Sequence, residues 1–204
     1  MAPSGSGPGR DQACARRRRT GHRGARRRDR GRDPDALATR VPARPVEVIG
    51  FGISGARTAT LTPEQLPLPD GFDAVVLVVG SNDATHGTPW YDLRRQTVDM
   101  LDRVTAREAV VILAGVPRFS GTEIIPEPLR TMVDRYAGIL REEQRAAAAA
   151  FPGIRFVDIA ADASPRFHGM PEATSADGYH PSPIGYGFWV DAIAPAVVAA
   201  LDAG

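Results

Sequence analysis

Four short apolar runs punctuate the chain, each bounded by glycine, proline or aspartate: VEVIGF (46–51), AVVLVVG (74–80), AVVILAG (109–115) and IRFVDIA (154–160). Near-continuous runs of this length, rich in β-branched residues, predict strands buried on both faces of a parallel sheet. Between the second and third runs, Leu93, Thr97, Met100, Leu101 and Val104 recur at helical spacing. Between the third and fourth, Leu129, Met132, Val133, Tyr136, Ile139 and Leu140 do the same, with Pro128 suited to a first turn. A long loop then leads to Ser182 and Pro183, a cap and first-turn pair that opens a helix running through Leu201. Strand and helix alternate, so the expected fold class is α/β: three layers, α/β/α, with a parallel sheet and right-handed crossovers. In such sheets the ligand site lies beyond the carboxyl ends of the strands.

The first fifth of the chain breaks this pattern. Residues 1–33 contain no Val, Ile, Leu, Phe, Trp or Tyr, too little apolar surface to offset the entropy of ordering. They are expected to be a disordered Arg-rich segment, with the folded domain spanning 34–204. DALATRV (35–41) reads as the tail of a short helix.

Charge follows the same division. Residues 1–40 hold 12 arginines against Asp11, Asp29, Asp33 and Asp35, whereas residues 41–204 hold 13 arginines against 20 acidic residues, a net of −7. Lysine is absent, and with abundant Ala, Gly and Pro this points to a GC-rich coding sequence. The single cysteine, Cys14, excludes an intrachain disulfide. No apolar stretch follows the arginines as a secretory signal requires, and the longest uninterrupted apolar run, 74–79, is too short to span a bilayer. A cytoplasmic protein without a membrane partner is the expectation.

Three segments leaving the predicted strands are rich in small and polar residues: GISGART (52–58), GSNDATHG (80–87) and ADGYHPSPIGYGFW (176–189). Taken singly, each has a bland reading: a turn glycine at Gly55, a turn at Asn82 and Asp83, a helix-entry loop with a solvated histidine at Asp177 and His180. Together, and in this order, they resemble the blocks of the SGNH hydrolases, also called GDSL esterases and lipases. D-G-Y-H-P-S is similar to that family's final block, in which an Asp and a His three residues apart complete a serine triad. G-S-N-D is similar to its G-x-N-D block, and S-G-A-R-T to its glycine block. The resemblance covers roughly residues 45–204 and implies that family's flavodoxin-like parallel sheet, with its first strand missing or replaced in this chain.

That resemblance implies His180 as general base, Asp177 as its orienting carboxylate, and the Gly55 backbone N–H and Asn82 side-chain amide as oxyanion donors. It implies a small-molecule ester or thioester substrate, an acyl-serine route and no cofactor. No clustered Cys/His spacing suggests a metal site. His86 and His168 read as surface or loop residues. Phe188 and Trp189 read as packing residues, as does Trp90, although Trp90 is close enough to the Asn82 loop to line an acyl pocket. Acyl and alcohol specificity and oligomeric state are left open.

The nucleophile is missing. The family carries its serine in a G-D-S block at the end of the first strand, and G-D-S occurs nowhere in this chain. Ser4 and Ser6 follow no apolar strand, and Ser54 and Ser81 lie in blocks to which the resemblance assigns other roles. The lost strand and serine turn belong within about residues 8–32, where the arginine run lies. Three explanations stand: an N-terminus read in a wrong frame or from a wrong start, a degenerate homologue that keeps a ligand pocket without catalysis, or a basic arm for nucleic acid or another polyanion. The first is preferred, so nucleic acid is not the expected partner. The alternative to an ester hydrolase is a non-catalytic α/β ligand-binding homologue with a basic nucleic-acid-binding tail.

Overall fold

The computed structural model describes residues 12–17, 46–65, 71–105 and 109–203. A five-stranded sheet forms from β1 (Gln12–Arg17), β2 (Val46–Gly50), β3 (Ala74–Val78), β4 (Val110–Ala114) and β5 (Arg155–Val157), in the order β2-β1-β3-β4-β5. The helices are α1 (Thr58–Gln65), α2 (Ser81–Thr85), α3 (Trp90–Thr105), α4 (Leu129–Ala148), α5 (Ile159–Asp162) and α6 (Pro183–Ala203). The α/β class with helices on both sheet faces is the predicted one.

The apolar runs are strands because both of their faces are covered. Val75, Leu77, Val111 and Leu113 pack with Leu61 of α1, Met100, Leu101 and Val104 of α3 and Ala147 of α4. The alternate residues Ala74, Val76, Ile112 and Ala114 pack with Phe188, Ile193, Ala194, Val197 and Leu201 of α6. Period-two side chains thus serve two cores, which is why the runs read as continuous rather than alternating.

The structure corrects three details of the sequence reading. The fourth run is a strand only to Val157; Asp158 then caps α5, its carboxylate accepting from the backbone N–H of Ala160 and Ala161 at 3.1 Å each. On α4, Leu140 of the expected stripe is buried, but Leu129, Met132 and Ile139 are about half exposed or more, and Leu140 shares the buried face with Ala137, Gln144, Ala147 and Ala148. Gln144 occupies a core position because its side chain joins two strand ends: its amide N–H donates to the Val79 carbonyl at 2.9 Å and its Oε1 accepts from the Val116 N–H at 3.0 Å. Finally, Pro183–Asp202 of α6 has the length and apolarity to cross a membrane, although Asp191 and Pro195 interrupt its apolar residues. Here one side of that helix forms part of the core over the sheet.

The central slot is filled from the N-terminal segment. β1 lies between β2 and β3 and pairs antiparallel with both, whereas β3, β4 and β5 are mutually parallel. The inner edges of β2 and β3 present backbone N–H and C=O groups that need partners, and an antiparallel ladder satisfies them without demanding an apolar pattern. The sheet is therefore mixed, not wholly parallel. Of the segment 1–33, only residues 12–17 are described, as this strand; the expectation for its remainder and the helix tail at 35–41 lie outside the described residues.

Candidate active site

Each of the three small-residue segments folds at the carboxyl edge of the sheet for a local reason. After β2, Gly55 turns the chain at φ +73 into α1. After β3, Gly80 at φ +110 opens α2, and there is no room for a side chain: a Cβ would lie 2.6 Å from Val116 Cγ2 and 2.9 Å from Gln144 Nε2. Before α6, Ser182 Oγ accepts from the Gly185 N–H at 3.3 Å, a side-chain cap with Pro183 in the first turn.

The first two segments are stapled together. Asn82 Nδ2 donates to the Ala56 carbonyl at 3.0 Å, and Asp83 Oδ2 accepts from both the backbone N–H and the hydroxyl of Thr58, each at 2.9 Å. Asp83 and Thr58 are fully buried. The third segment makes its own turn: Asp177 Oδ1 accepts from the N–H of Tyr179 and of His180, both at 2.9 Å, while Oδ2 meets His180 Nδ1 at 2.7 Å. Partial burial pushes the pKa of Asp177 up, but this is outweighed by hydrogen bonds from the His180 ring and from the two backbone N–H groups and by the charge of His180; the pKa falls to about 2. Asp177 is thus held as a carboxylate, which fixes the imidazole with Nδ1 toward it.

Gly55, Asn82 and His180 line one open pocket, with Asp177 behind the histidine. Its other walls are the loop Pro117–Thr122, Ser164 and Phe167, and Tyr179, Tyr186 and Trp189. One amide hydrogen of Asn82 is spent on Ala56; the second, and the Gly55 backbone N–H, meet no partner among the described residues. A Cβ built on Gly55 meets nothing within 4 Å, so its backbone is open to a bound group. Trp90, a candidate for the pocket wall in the sequence, is not among the lining residues, whereas Trp189 is. His86 is exposed and engages the Asn82 carbonyl at 2.8 Å through Nδ1. Among the described residues no group of three or more metal-ligating side chains gathers.

Sequence reasoning missed Thr58, Asp83 and Asp134. Asp83 carried a signal, as the acidic residue beside Asn82 that ends buried. Asp134 carried none, since it reaches from α4 to a loop 14 to 16 residues earlier.

The pocket serines are Ser81, Ser120 and Ser164. Among the described residues no hydroxyl hydrogen-bonds to the His180 ring, and Ser164 Oγ is taken up by the Arg118 N–H at 3.2 Å and the Ile159 carbonyl at 3.3 Å. The direction of β1 bears on this. Gln12, at its start, lies beside Leu77 near the pocket edge, whereas Arg17, at its end, lies beside Val46 at the opposite edge. A strand running the other way in this slot would end at the pocket, whereas β1 ends at the far side of the sheet.

The model of the GDSL-like lipase/acylhydrolase family matches residues 7–188. A GDSL-like esterase of Mycobacterium tuberculosis, Rv1075c, is 33% identical over 120 residues, covering 58% of this chain and 38% of that protein, so the chain spans well under half the length of this relative. Two solved structures share the fold: a lipase/acylhydrolase from Enterococcus faecalis (TM-score 0.63, 24% identity, 81% of this chain and 84% of that one), and a GDSL-like lipase from Bacteroides thetaiotaomicron (TM-score 0.57, 24% identity, 74% and 76%). By its matched length and its fold, the chain belongs to the GDSL-like lipase/acylhydrolase family, whose members hydrolyse esters.

Proposed function

We propose that this chain carries the base and oxyanion half of an ester- or thioester-hydrolysing site built for an acyl-enzyme route. The observation that supports this best is the Asp177–His180 pair at 2.7 Å in a pocket shared with two uncommitted donors, the Gly55 N–H and the second Asn82 amide hydrogen. In the reaction so read, His180 takes the proton of an attacking hydroxyl and returns it to the leaving alcohol or thiol. Asp177 keeps the ring in the required tautomer, and Gly55 and Asn82 hold the tetrahedral oxyanion.

The route needs a serine where this chain has an antiparallel strand, and as written the chain is expected to turn over weakly or not at all. The test compares p-nitrophenyl ester hydrolysis by the chain as written with hydrolysis by a version whose N-terminal segment is replaced by a parallel strand ending in Gly-Asp-Ser. Activity should appear in the second and vanish in its His180→Ala derivative. Equal activity with and without His180 sinks the assignment.

A second reading is favoured by the direction of β1 and, among the described residues, the lack of a hydroxyl bonded to the His180 ring: a homologue that keeps the pocket to bind an acyl ligand without cleaving it. It expects retained ligand binding by the chain as written, and no turnover after repair of the serine block.

A further inference from the structure

The loop Pro117–Thr122 has no regular structure and contributes six consecutive residues to the pocket wall. It is tied to α4 by one carboxylate. Asp134 Oδ1 accepts from the Phe119 N–H at 2.6 Å and the Ser120 N–H at 3.2 Å, and Oδ2 pairs with the Arg118 guanidinium at 3.4 Å. The hold continues inward. Phe119 is buried, and its ring lies 6.2 Å from that of Tyr179, which in turn stands edge-on to the His180 ring at 4.9 Å. Further along the same loop, Ile124 sits against Gly178, where a Cβ would come within 3.3 Å of it.

The hydrogen bonds within the 177–180 turn fix its shape but not its placement. Placement comes from two sides: the 173–175 segment, through bonds from the Ser175 N–H to the His180 carbonyl, from the Ser175 hydroxyl to the Pro181 carbonyl and from the Ser182 N–H to the Ala173 carbonyl, each at 2.8 Å, and the Phe119 and Ile124 contacts beneath. We propose that Asp134 is a positioning residue that sets the 117–124 loop and, through Phe119 and Tyr179, the placement of the His180 ring relative to Gly55 and Asn82. The proposal rests on the reading of His180 as the base, and misplacement of such a group by about 1 Å is enough to cost up to about a hundredfold in rate.

The test uses the full chain and does not depend on turnover. Imidazole ring resonances are recorded for the unsubstituted protein, Asp134→Ala and Asp134→Asn, with His180 assigned through His180→Ala. Asn keeps an oxygen acceptor for the two backbone N–H groups, so the His180 signals should move in Asp134→Ala and return in Asp134→Asn, with those of His86 and His168 unmoved. In the serine-repaired chain, Asp134→Ala should lower kcat by roughly tenfold or more with KM within about twofold, and Asp134→Asn should restore most of it. Unmoved His180 signals in Asp134→Ala overturn the proposal, as does an Asn variant as perturbed as the Ala one. Should Asp134→Ala fail to fold, Phe119→Leu carries the same expectation for His180. Turnover that survives His180→Ala would instead defeat the base assignment, while the resonance shifts would still decide the role of Asp134.

Discussion

Asp83 Oδ2 receives both hydrogens that Thr58 has to offer, from its backbone N–H and from its hydroxyl. With the Asn82 bond to the Ala56 carbonyl, this joins the loop after β2 to the loop after β3 in a region where Thr58 and Asp83 are fully buried. The two proposed oxyanion donors, Gly55 and Asn82, thus keep a fixed separation. Asp83→Ala strands two buried donors and should destabilise the fold by about 3 kcal/mol. Thr58→Val removes only the hydroxyl and should cost about 1 kcal/mol. Urea unfolding midpoints of the two variants check the order, and equal losses would show that the backbone bond contributes little.

The glycines at 55 and 80 both have positive φ but should respond differently to alanine. At Gly55 a Cβ meets open space, so only backbone strain remains, about 1–2 kcal/mol. At Gly80 a Cβ would overlap Val116 and the Gln144 amide that bridges β3 and β4, adding overpacking to strain for a total of about 3 kcal/mol or more. Thermal unfolding of Gly55→Ala and Gly80→Ala side by side reads the difference; similar melting shifts would mean that the Gly80 site has room to relax.

The parts of the fold legible in the sequence were those whose signal is local. β3 and β4 announce themselves because both faces of each are buried, and α3 because all five of its spaced residues, Leu93 to Val104, reach the core. The pocket residues Gly55, Asn82 and His180 were legible as a set through their order along the chain, though no one of them was alone. What escaped depends on partners distant in sequence. Gln144 looks like a surface residue of α4 until the ends of β3 and β4 are placed beside it. β1 carries no apolar pattern, and its pairing is dictated by the open backbone edges of β2 and β3. Leu129 and Met132 fit a helical stripe by spacing, yet they precede the part of α4 that reaches the core.

Asn82 gives the most direct test of the oxyanion reading. Its side chain is already oriented by Ala56, so an oxyanion would find the second hydrogen placed in advance, with no reorganisation needed during the reaction. In the serine-repaired chain, Asn82→Ala should lower kcat by roughly 10²–10³ and leave KM nearly unchanged, because the bond forms only in the transition state. A rise in KM at constant kcat would assign Asn82 to ground-state binding instead.

The acid side of the stability profile tests the Asp177 turn. Its carboxyl falls from 3.8 to about 2 in the folded chain, and a depressed acid contributes stability that is present above its unfolded value and lost as pH falls through the folded one. Asp177→Asn cannot titrate. At pH 5 the variant should therefore be the less stable of the two, and the gap should close as the pH is lowered from about 4 to about 2, where the native carboxyl becomes neutral as well. The side chain is half exposed, so water and salt screen the effect, and the gap should be small and shrink further in high salt. Urea midpoints for both proteins at pH 5, 4, 3 and 2 decide the matter: a gap that stays constant across that range would show that the carboxylate gains nothing from its contacts with His180 and the turn.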